Sequence, residues 1–553
     1  MDKKFFRSNV VYQIYPRSFC DASGDGIGDI PGIISKLDYL ADLGIGIIWL
    51  SPVYKSPNVD YGYDISDYCA INPEYGTMKD MEHLIAAAKE KGIRIVMDLV
   101  VNHTSDEHPW FIASRDPKSP YHQYYYWRKG KANNTLPPNN WTSDFGGSAW
   151  EYDKEVGEWY LHLFSKKQVD LDWHNPMVLI EVEKILRFWL DKGIYGFRCD
   201  VINQIWKEDL NDAKKGPYVM GLDHYLDKDG NHKILERLNS DVFSHYDCMT
   251  VGECYNVDFA NARRFTAGNE LDMVFQFDAM NVDKGIVPIF NKKYHPAALK
   301  KILFDWQREV DWNANYFENH DQLRSVERFG DAKKYHKQSA KMLATILLTL
   351  KGTPYIFEGE EIGMLNLPIM SKDQYRDPVN LFIYSLLKKY HVPEKLSLKL
   401  ISNYSRDNAR TPMQWDSSPY AGFSKVNPWL LVNPNYKKIN VADEEEDSTS
   451  ILSFYKKAIA LRKEDPALNY GGFEAIKTSK KIMAYFRPYE GHMILVIANM
   501  TGKRVRMPKS LRSTKGKVLL ANYSYPGASP TNPGTAYAYK EHLRPFEALV
   551  VKL

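Results

Sequence analysis

The alternation of short apolar runs with helix-like patterns is the feature that most constrains how this chain folds. Eight strand-like runs occur, and most of them are followed by a helical pattern. The runs span residues 10–14, 46–50, 93–103, 196–200, 247–253, 273–277, 314–321 and 353–357. Such a rhythm indicates parallel strands joined by crossover helices, and eight repeats predict an α/β fold, the (β/α)₈ TIM barrel.

Two stretches depart from that rhythm and predict further domains. Residues 104–169 are rich in Trp, Tyr, Asn, Pro and Gly, and a loop this long without its own structure is uncommon. From residue 471 onward, apolar residues alternate with polar ones between turn signals, which is typical of an antiparallel β-domain. We therefore expect a barrel (1–103 and 170–470), a small domain inserted after strand 3 (104–169) and a C-terminal β-sandwich (471–553).

Composition argues against several classes of function. The 553 residues carry 72 Lys and Arg against 69 Asp and Glu, and a net charge of +3 gives no reason to expect a nucleic-acid partner. No run approaches the roughly 18 apolar residues of a membrane span, and the N-terminus lacks the apolar core of a signal peptide. The five cysteines show no CxxC spacing, which favours free thiols in a reducing compartment. We expect a cytoplasmic monomer that acts on a small molecule.

A Gly-rich acidic segment after the first strand is a candidate metal site. In Asp21-Ala-Ser-Gly-Asp-Gly-Ile-Gly-Asp29, oxygen donors recur at alternate positions with Gly at the bends. The predicted ligands of a structural Ca²⁺, or of Mg²⁺, are Asp21, Ser23, Asp25, the Ile27 carbonyl and Asp29. The segment is not an EF-hand, because its twelfth position is Gly32 rather than Glu. The alternative is a Gly-rich turn with surface acids.

Polar residues follow four of the predicted strands, at the ends where a barrel of this kind carries its active site. They are Asn102 and His103, Arg198 and Asp200, Glu253, and Asn319 to Asp321. The period of a strand places Arg198 and Asp200 on one side, where the guanidinium should lower the pKa of Asp200 and keep it ionised. Desolvation after an apolar strand should raise the pKa of Glu253. Three carboxylates with flanking His and Arg, and no Cys–His or Ser–His pairing in the loops, favour glycoside chemistry, in which one carboxylate attacks and a protonated one donates to the leaving oxygen.

Two other interpretations of these residues stay open. Arg198 and Asp200 alone fit a structural ion pair, and any single strand-end residue fits a helix cap. His103, His320 and the acids would also suit metal-assisted hydrolysis, although they lack HxH or HExxH spacing. Four polar strand ends in one barrel favour an active site over capping.

Six motifs together give the chain a resemblance to a known family. They are Asp98-Leu-Val-Val-Asn-His103, Gln168-Val-Asp-Leu-Asp172, Gly196-Phe-Arg-Cys-Asp200-Val-Ile-Asn, Gly252-Glu253, Phe317-Glu-Asn-His-Asp321 and Arg406-Asp-Asn-Ala-Arg-Thr-Pro-Met-Gln-Trp415. With these motifs the chain resembles the α-amylase superfamily (glycoside hydrolase family 13), in its oligo-1,6-glucosidase and α-glucosidase branch. The resemblance implies that Asp200 is the nucleophile, Glu253 the general acid/base and Asp321 the third acid, and that the α configuration is retained.

The resemblance also implies a glucose subsite and a closed pocket. The matching positions are Asp60, Tyr63, His103, Phe145, Arg198, Val201, His320 and Arg406. Asp60 and Arg406 look like the pair that closes the pocket beyond the non-reducing end, which implies an exo-acting enzyme that removes one glucosyl unit. The segment from Asp21 to Asp29 is similar to the metal loop of this branch, with Ser23 where Asn is more usual.

Linkage specificity is predicted from the residue that follows the presumed nucleophile. Val201 is similar to the 1,6-acting type, whereas 1,4-specific relatives tend to have Ala or Thr; a strand-packing role for Val201 is the alternative. The chain departs from the branch at residues 254–256 and at Glu358, and we expect both to border the leaving-group side.

Other activities share the same core motifs. They are a sucrose-active or α-1,4-active glucosidase, a sucrose isomerase and a trehalose-phosphate hydrolase. Residues 278–284 lack the Arg-rich loop of the isomerases, which disfavours isomerisation. A non-catalytic subunit of an amino-acid transporter is disfavoured, because such relatives have a membrane span and have lost the catalytic carboxylates.

Overall fold

Eight parallel strands form the central sheet of the computed structural model, which describes residues 4–216, 219–285, 289–512, 514–524 and 541–553. They are β1 (Val11–Ile14), β2 (Ile47–Leu50), β3 (Arg94–Leu99), β4 (Gly196–Cys199), β5 (Met249–Glu253), β6 (Met273–Phe275), β7 (Ala314–Asn315) and β8 (Thr353–Phe357). Their order is β6-β5-β4-β3-β2-β1-β8-β7. Next to the two end strands, the Tyr316 hydroxyl donates to the Gln276 carbonyl at 2.9 Å, so the sheet curls into a barrel. The predicted fold class is confirmed.

The strands are buried on both faces, because the barrel interior covers one face and the helices cover the other. The helices between strands include Ile30–Ser35, Leu37–Leu43, Met78–Glu90, Pro176–Asp191, Asp229–Asp241, Phe259–Phe265, Pro296–Glu309, Ser325–Phe329 and His336–Thr349. Helices Ile451–Glu464 and Pro466–Tyr470 follow β8. Local sequence fixes their starts. Thr77 and Asp80 form a capping box ahead of Met78–Glu90, and the Asn175 side chain caps Pro176–Asp191.

The region after β3 has its own small sheet. Strands Trp127–Arg128, Glu158–Leu161 and Trp150–Asp153 lie side by side in that order, and helix Pro109–Ser114 precedes them. His103–Ser105 and Gln168–Asp170 pair antiparallel where the chain leaves the barrel and returns to it. The predicted boundaries at 104 and 169 fall within that pair. An apolar cluster holds this region together, and its fully buried members include Trp141, Trp150 and Leu161.

The C-terminal region is a two-layer β-structure. Strands Glu474–Ala475, Ile482–Tyr489, His492–Asn499, Ala548–Lys552 and Lys517–Ala521 form an antiparallel sheet in that order. Val505–Arg506 and His542–Leu543 form the second layer. Alternate residues separate two cores: Ile482 and Leu495 face the second layer, whereas Tyr485 joins the barrel core. Its hydroxyl lies 2.6 Å from Thr349 Oγ1, which ties the sheet to a barrel helix.

The segment between β8 and helix Ile451–Glu464 lies against the carboxyl end of the barrel. Its helices are Pro378–Lys389, Glu394–Ser402 and Val441–Glu446. In the described part of the chain, no helix combines the length and the apolar character needed to cross a bilayer.

Candidate active site

A cavity of about 260 Å³ opens at the carboxyl ends of the barrel strands. Nine of the predicted site residues line it: Asp60, Tyr63, His103, Phe145, Asp200, Val201, Glu253, Asp321 and Arg406. The other two, Arg198 and His320, are each 1% exposed and lie behind the cavity wall in contact with lining residues. The structure therefore brings together all eleven predicted catalytic and substrate-binding residues.

Arg198 connects the buried acids at the floor of the cavity. Its Nη1 lies 2.6 Å from Asp200 Oδ1 and also binds Asp98, and its Nη2 lies 2.7 Å from Glu253 Oε2. One guanidinium from β4 thus spans the ends of β3, β4 and β5. The Asp200 and Glu253 carboxyl groups are close enough to share a hydrogen bond. This planar fork fixes both carboxyl groups in space, as a two-carboxyl reaction requires.

Burial sets the protonation of the two carboxyl groups. It raises the pKa of Asp200 to about 6 even though Arg198 opposes the shift, so the predicted lowering of that pKa is wrong. Burial raises the pKa of Glu253 further, to about 8, and the charges of Asp200 and Asp321 add to the effect. Near pH 7 Asp200 is mostly ionised and Glu253 is mostly protonated, which is the division of labour expected of a nucleophile and an acid.

Asp321 has a different environment, with two arginines beside it. Arg410 Nη2 lies 2.6 Å from its Oδ1, and Arg406 Nη1 lies 3.5 Å from the same atom. Burial raises the pKa of Asp321, but the electrostatic influence of His320, of the Arg410 and Arg406 guanidinium groups and of the Arg410 hydrogen bond outweighs burial and holds the pKa well below its usual range. Asp321 therefore stays ionised across the working pH range and can accept hydrogen bonds.

His320 is held neutral between donors and acceptors. The Gln13 amide donates to Nδ1 at 2.8 Å, and Nε2 lies 2.8 Å from the Tyr63 hydroxyl. Burial lowers the pKa of His320 to about 3. With Nδ1 as an acceptor, Nε2 carries the proton and donates into the site. On the other side of the Tyr63 loop, His103 Nε2 lies 3.1 Å from the Tyr63 carbonyl.

One end of the cavity is closed by an ion-pair network. Arg406 Nη2 lies 3.1 Å from Asp60 Oδ1 and 2.8 Å from Asp377 Oδ1. Gln168 Nε2, from the inserted region, donates to the other Asp60 oxygen at 3.3 Å. The guanidinium of Arg406 also lies over the Phe145 ring, 5.5 Å from its centroid. The barrel, the insertion and the segment after β8 thus all contribute to this wall.

Val201 has an unusual backbone conformation at the cavity wall. Its φ of 35° lies in the left-handed region, which β-branched residues rarely adopt. Its N–H donates to Glu253 Oε2 at 3.2 Å. The strained turn directly after Asp200 therefore helps to orient the second carboxyl group, and it directs the Val201 side chain to the cavity.

The sequence did not single out twelve further lining residues as site residues. They are Asp144, Phe164, Gln168, Gln204, Val219, Tyr255, Phe277, Asn281, Lys284, Gln322, Val379 and Tyr404. Gln168 stands in a recognised motif, and Tyr255 lies within the departure at 254–256. The others occur in segments without a chemical pattern, and the packing of distant segments brings them to the cavity.

Of residues 254–256, Tyr255 reaches the cavity and Cys254 does not, and the expectation that Glu358 borders the leaving-group side is wrong. Cys254 is fully buried, and Glu358 is 1% exposed; neither is among the described residues that line the cavity. Glu358 points inward because its Oε2 accepts the Tyr15 N–H at 2.9 Å. Of these departures from the branch, Tyr255 is the one that lies at the cavity.

The carboxylates of the candidate metal loop accept backbone N–H groups. Asp21 accepts from Gly24 and Gly26, and Asp25 accepts from Ile27. Asp29 accepts from Gly32 and caps helix Ile30–Ser35. The all-oxygen donor set has the chemistry that Ca²⁺ prefers. As placed, the described residues contain no group of three or more His, Cys, Asp or Glu side chains that converge for a metal ion.

A (β/α)₈ barrel with paired acids at its strand ends is an arrangement that glycoside hydrolases use, and the family match and the relatives below show that this chain is one. The alpha amylase catalytic domain matches residues 13–471, and the chain belongs to this alpha-amylase family. It is 47% identical to an oligo-1,6-glucosidase of Bacillus cereus, over the whole of both chains. A trehalose-6-phosphate hydrolase of Bacillus licheniformis superposes with a TM-score of 0.91 at 42% identity, over 99% of both chains. An isomaltulose synthase of Klebsiella sp. LX3 superposes with a TM-score of 0.91 at 38% identity, over 100% of both.

Proposed function

We propose that this protein is a retaining, exo-acting α-glucosidase that hydrolyses α-1,6 bonds at the non-reducing end of short isomalto-oligosaccharides. The observation that carries the proposal is the Arg198 fork, which holds an ionised Asp200 and a protonated Glu253 side by side on the floor of a cavity with one closed end.

The proposed mechanism has two displacements at the anomeric carbon. Asp200 attacks C1 and forms a β-glucosyl ester, while Glu253 gives its proton to the departing glycosidic oxygen. Glu253, now ionised, then takes a proton from water, and that water attacks C1 and releases α-glucose and free Asp200. Asp321 accepts hydrogen bonds from sugar hydroxyls, and the two nearby arginines keep it ionised.

The closed end of the cavity supports exo-action. Arg406 bridges Asp60 and Asp377. In the proposed binding mode, this network blocks a further sugar beyond the non-reducing end. Asp60 and Arg406 line the cavity and can bind the terminal glucose hydroxyls, whereas Asp377 is fully buried and holds Arg406 from behind. An enzyme with such a wall removes single glucosyl units.

Linkage preference rests on Val201 and on the name of the Bacillus cereus relative. Initial rates on isomaltose, panose, maltose, sucrose and isomaltulose, at equal concentration and with products resolved, test the proposal. We expect fast release of glucose from isomaltose and slow release from maltose. Preference for sucrose would indicate a sucrose-active glucosidase, and isomeric disaccharides among the products would indicate a sucrose isomerase. Either result would contradict the proposed 1,6-glucosidase activity.

Lys284 favours a second candidate, hydrolysis of a phosphorylated disaccharide. Its ammonium lies at the cavity, 3.3 Å from Gln322 Oε1, and among the described residues no carboxylate lies within ion-pair distance. A cation in that position suits a phosphate on the leaving sugar. Comparing kcat/KM for trehalose 6-phosphate and isomaltose, in the parent and in Lys284→Gln, decides between the candidates. The second candidate predicts that the phosphorylated sugar is the better substrate and loses most from the substitution.

We also propose that the loop from Asp21 to Asp29 binds Ca²⁺, supported by its oxygen donors at alternate positions. Binding requires the carboxylates to turn towards one point. Calorimetric melting with Ca²⁺, with Mg²⁺ and with a chelator tests it, and Asp25→Ala is the variant expected to lose the effect. Equal melting temperatures in all three solutions would contradict the proposal that the loop binds a metal ion.

A monomeric protein in the cytoplasm completes the proposal. The predicted catalytic and substrate-binding residues meet within one chain, and all five cysteines are free thiols, which suits a reducing compartment. Sedimentation at micromolar concentration tests the monomer.

A further inference from the structure

A second cavity opens beside the mouth of the catalytic cavity. We call it the side groove; its volume is about 280 Å³. Helix Pro378–Lys389 forms one wall with Phe382, Ile383, Leu386 and Leu387, and the turn at residues 142–147 of the inserted region forms the other. Asp144 is the single charged side chain among the described lining residues. The groove is therefore an apolar channel beside a polar site.

The groove is continuous with the catalytic cavity. Five residues line both: Asp144, Phe145, Val219, Val379 and Tyr404. A molecule whose glucose occupies the catalytic cavity can therefore extend a second group into the side groove without leaving the protein surface.

The walls of the groove meet closely. A Cβ atom placed on Gly146 would lie 2.2 Å from the Phe382 ring, and the φ of 97° at Gly146 is one that Gly readily adopts. The turn and the helix are thus in direct contact at one end of the groove. Phe382 and Leu386 nevertheless remain 41% and 40% exposed, which is high for large apolar side chains.

We propose that the side groove binds the apolar aglycone of an alkyl α-glucoside whose glucose lies in the catalytic cavity. The inference rests on the proposed glucosidase function and extends it to a second class of substrate. Continuity with the cavity favours a glycoside over a protein partner, and the volume is close to the lower limit of small-ligand sites, about 300 Å³. Each aglycone methylene that leaves water there should raise kcat/KM about fourfold.

The test compares hexyl and methyl α-D-glucopyranoside as substrates. We expect kcat/KM to be at least about tenfold higher for the hexyl compound. Leu386→Ser and Phe382→Ser should each reduce that ratio at least about fivefold and leave kcat/KM for isomaltose unchanged. Leu381→Ser is the matched control, since Leu381 lies on the same helix with similar exposure and outside the groove. Equal rates on the two glucosides, or a ratio that survives both groove variants, would overturn the proposal.

Binding separates this inference from the proposed function. Calorimetric titration with hexyl and methyl 1-thio-α-D-glucopyranosides needs no turnover. Tighter binding of the hexyl compound that is lost in Leu386→Ser supports the groove even if isomaltose is not cleaved. Equal affinities would refute the groove even if isomaltose is an excellent substrate.

Discussion

Two clusters of buried acids lie at the same end of the barrel, and they have opposite surroundings. The catalytic cluster is Asp98, Asp200, Glu253 and Asp321 with Arg198. The closed cluster is Glu318, Glu358, Glu360 and Glu361 with Arg324. Both pair carboxylates with a fully buried guanidinium, and burial raises the pKa of carboxyl groups in both.

The difference between the clusters is what the acid oxygens contact. In the closed cluster, Tyr12 and Tyr39 both donate to Glu361 Oε1 at 2.7 Å, and Tyr455 donates to Glu360. In the catalytic cluster Asp200 and Glu253 share one guanidinium and line a cavity. A perturbed pKa therefore does not identify a catalytic acid; access to a ligand does.

The largest expected effect is that of Asp200→Asn. Loss of the nucleophile should reduce kcat on isomaltose by about 10⁴-fold or more, with the melting temperature nearly unchanged. Glu361→Gln is the matched change in the closed cluster, because the amide oxygen can still accept both tyrosine hydroxyls. It should leave kcat within a few-fold. Near-parent activity in Asp200→Asn would remove Asp200 from the mechanism.

Arg324→Met should destabilise the closed cluster without changing the catalytic residues. Arg324 holds Glu318 at 3.1 Å and donates to the Glu358 carbonyl at 2.7 Å, so its loss leaves a buried carboxylate unpaired. We expect a loss of about 3–5 kcal/mol in the free energy of unfolding. Urea titration measures it, and Arg237→Met, which breaks an exposed pair, should cost less than about 1 kcal/mol. A fall in kcat with an unchanged free energy of unfolding would mean that the closed cluster contributes to catalysis, which contradicts the distinction drawn between the two clusters.

The pH profile should follow the catalytic pair. Below about 6 Asp200 gains a proton and stops acting as a nucleophile, and above about 8 Glu253 loses the proton it must donate. Each limb of kcat/KM should change about tenfold per pH unit, with a maximum near pH 7 and apparent pKa values that belong to the pair. Glu253→Gln, assayed on an aryl glucoside with a good leaving group, should lose the basic limb. A profile that stays flat from pH 8 to 10 would contradict this assignment.

Val201→Thr should give the smallest effect. The substitution exchanges a methyl group for a hydroxyl at the cavity wall, and we expect the ratio of kcat/KM for isomaltose to that for maltose to fall about tenfold. Ile202→Val, a change at a buried neighbour outside the cavity lining, is the control and should leave the ratio unchanged. An unchanged ratio in Val201→Thr would leave Val201 with a packing role only.

The alternation of strand and helix patterns was enough to predict the barrel, because each crossover unit has its own apolar run and its own helical pattern in the sequence. Asp200, Glu253 and Asp321 could be anticipated for the same reason, since strand ends converge whatever the loops do. The orientation of Glu358 could not be predicted from the sequence. This residue also follows a strand, but its carboxylate accepts the Tyr15 N–H and is buried away from the cavity. Lys284, Val379 and Tyr404 come from segments without a motif. The pKa of Asp200 depends on burial, which only the fold reveals.

Trapping of the covalent intermediate tests the central claim most directly. The protein is incubated with 5-fluoro-α-D-glucosyl fluoride, which forms a slowly hydrolysed glucosyl ester, and then digested and mapped by mass spectrometry. We predict one fluoroglucosyl group per chain on Asp200, and none on the closed cluster of Glu318, Glu358, Glu360 and Glu361. A label on another carboxylate, or inactivation without a label, would contradict the account.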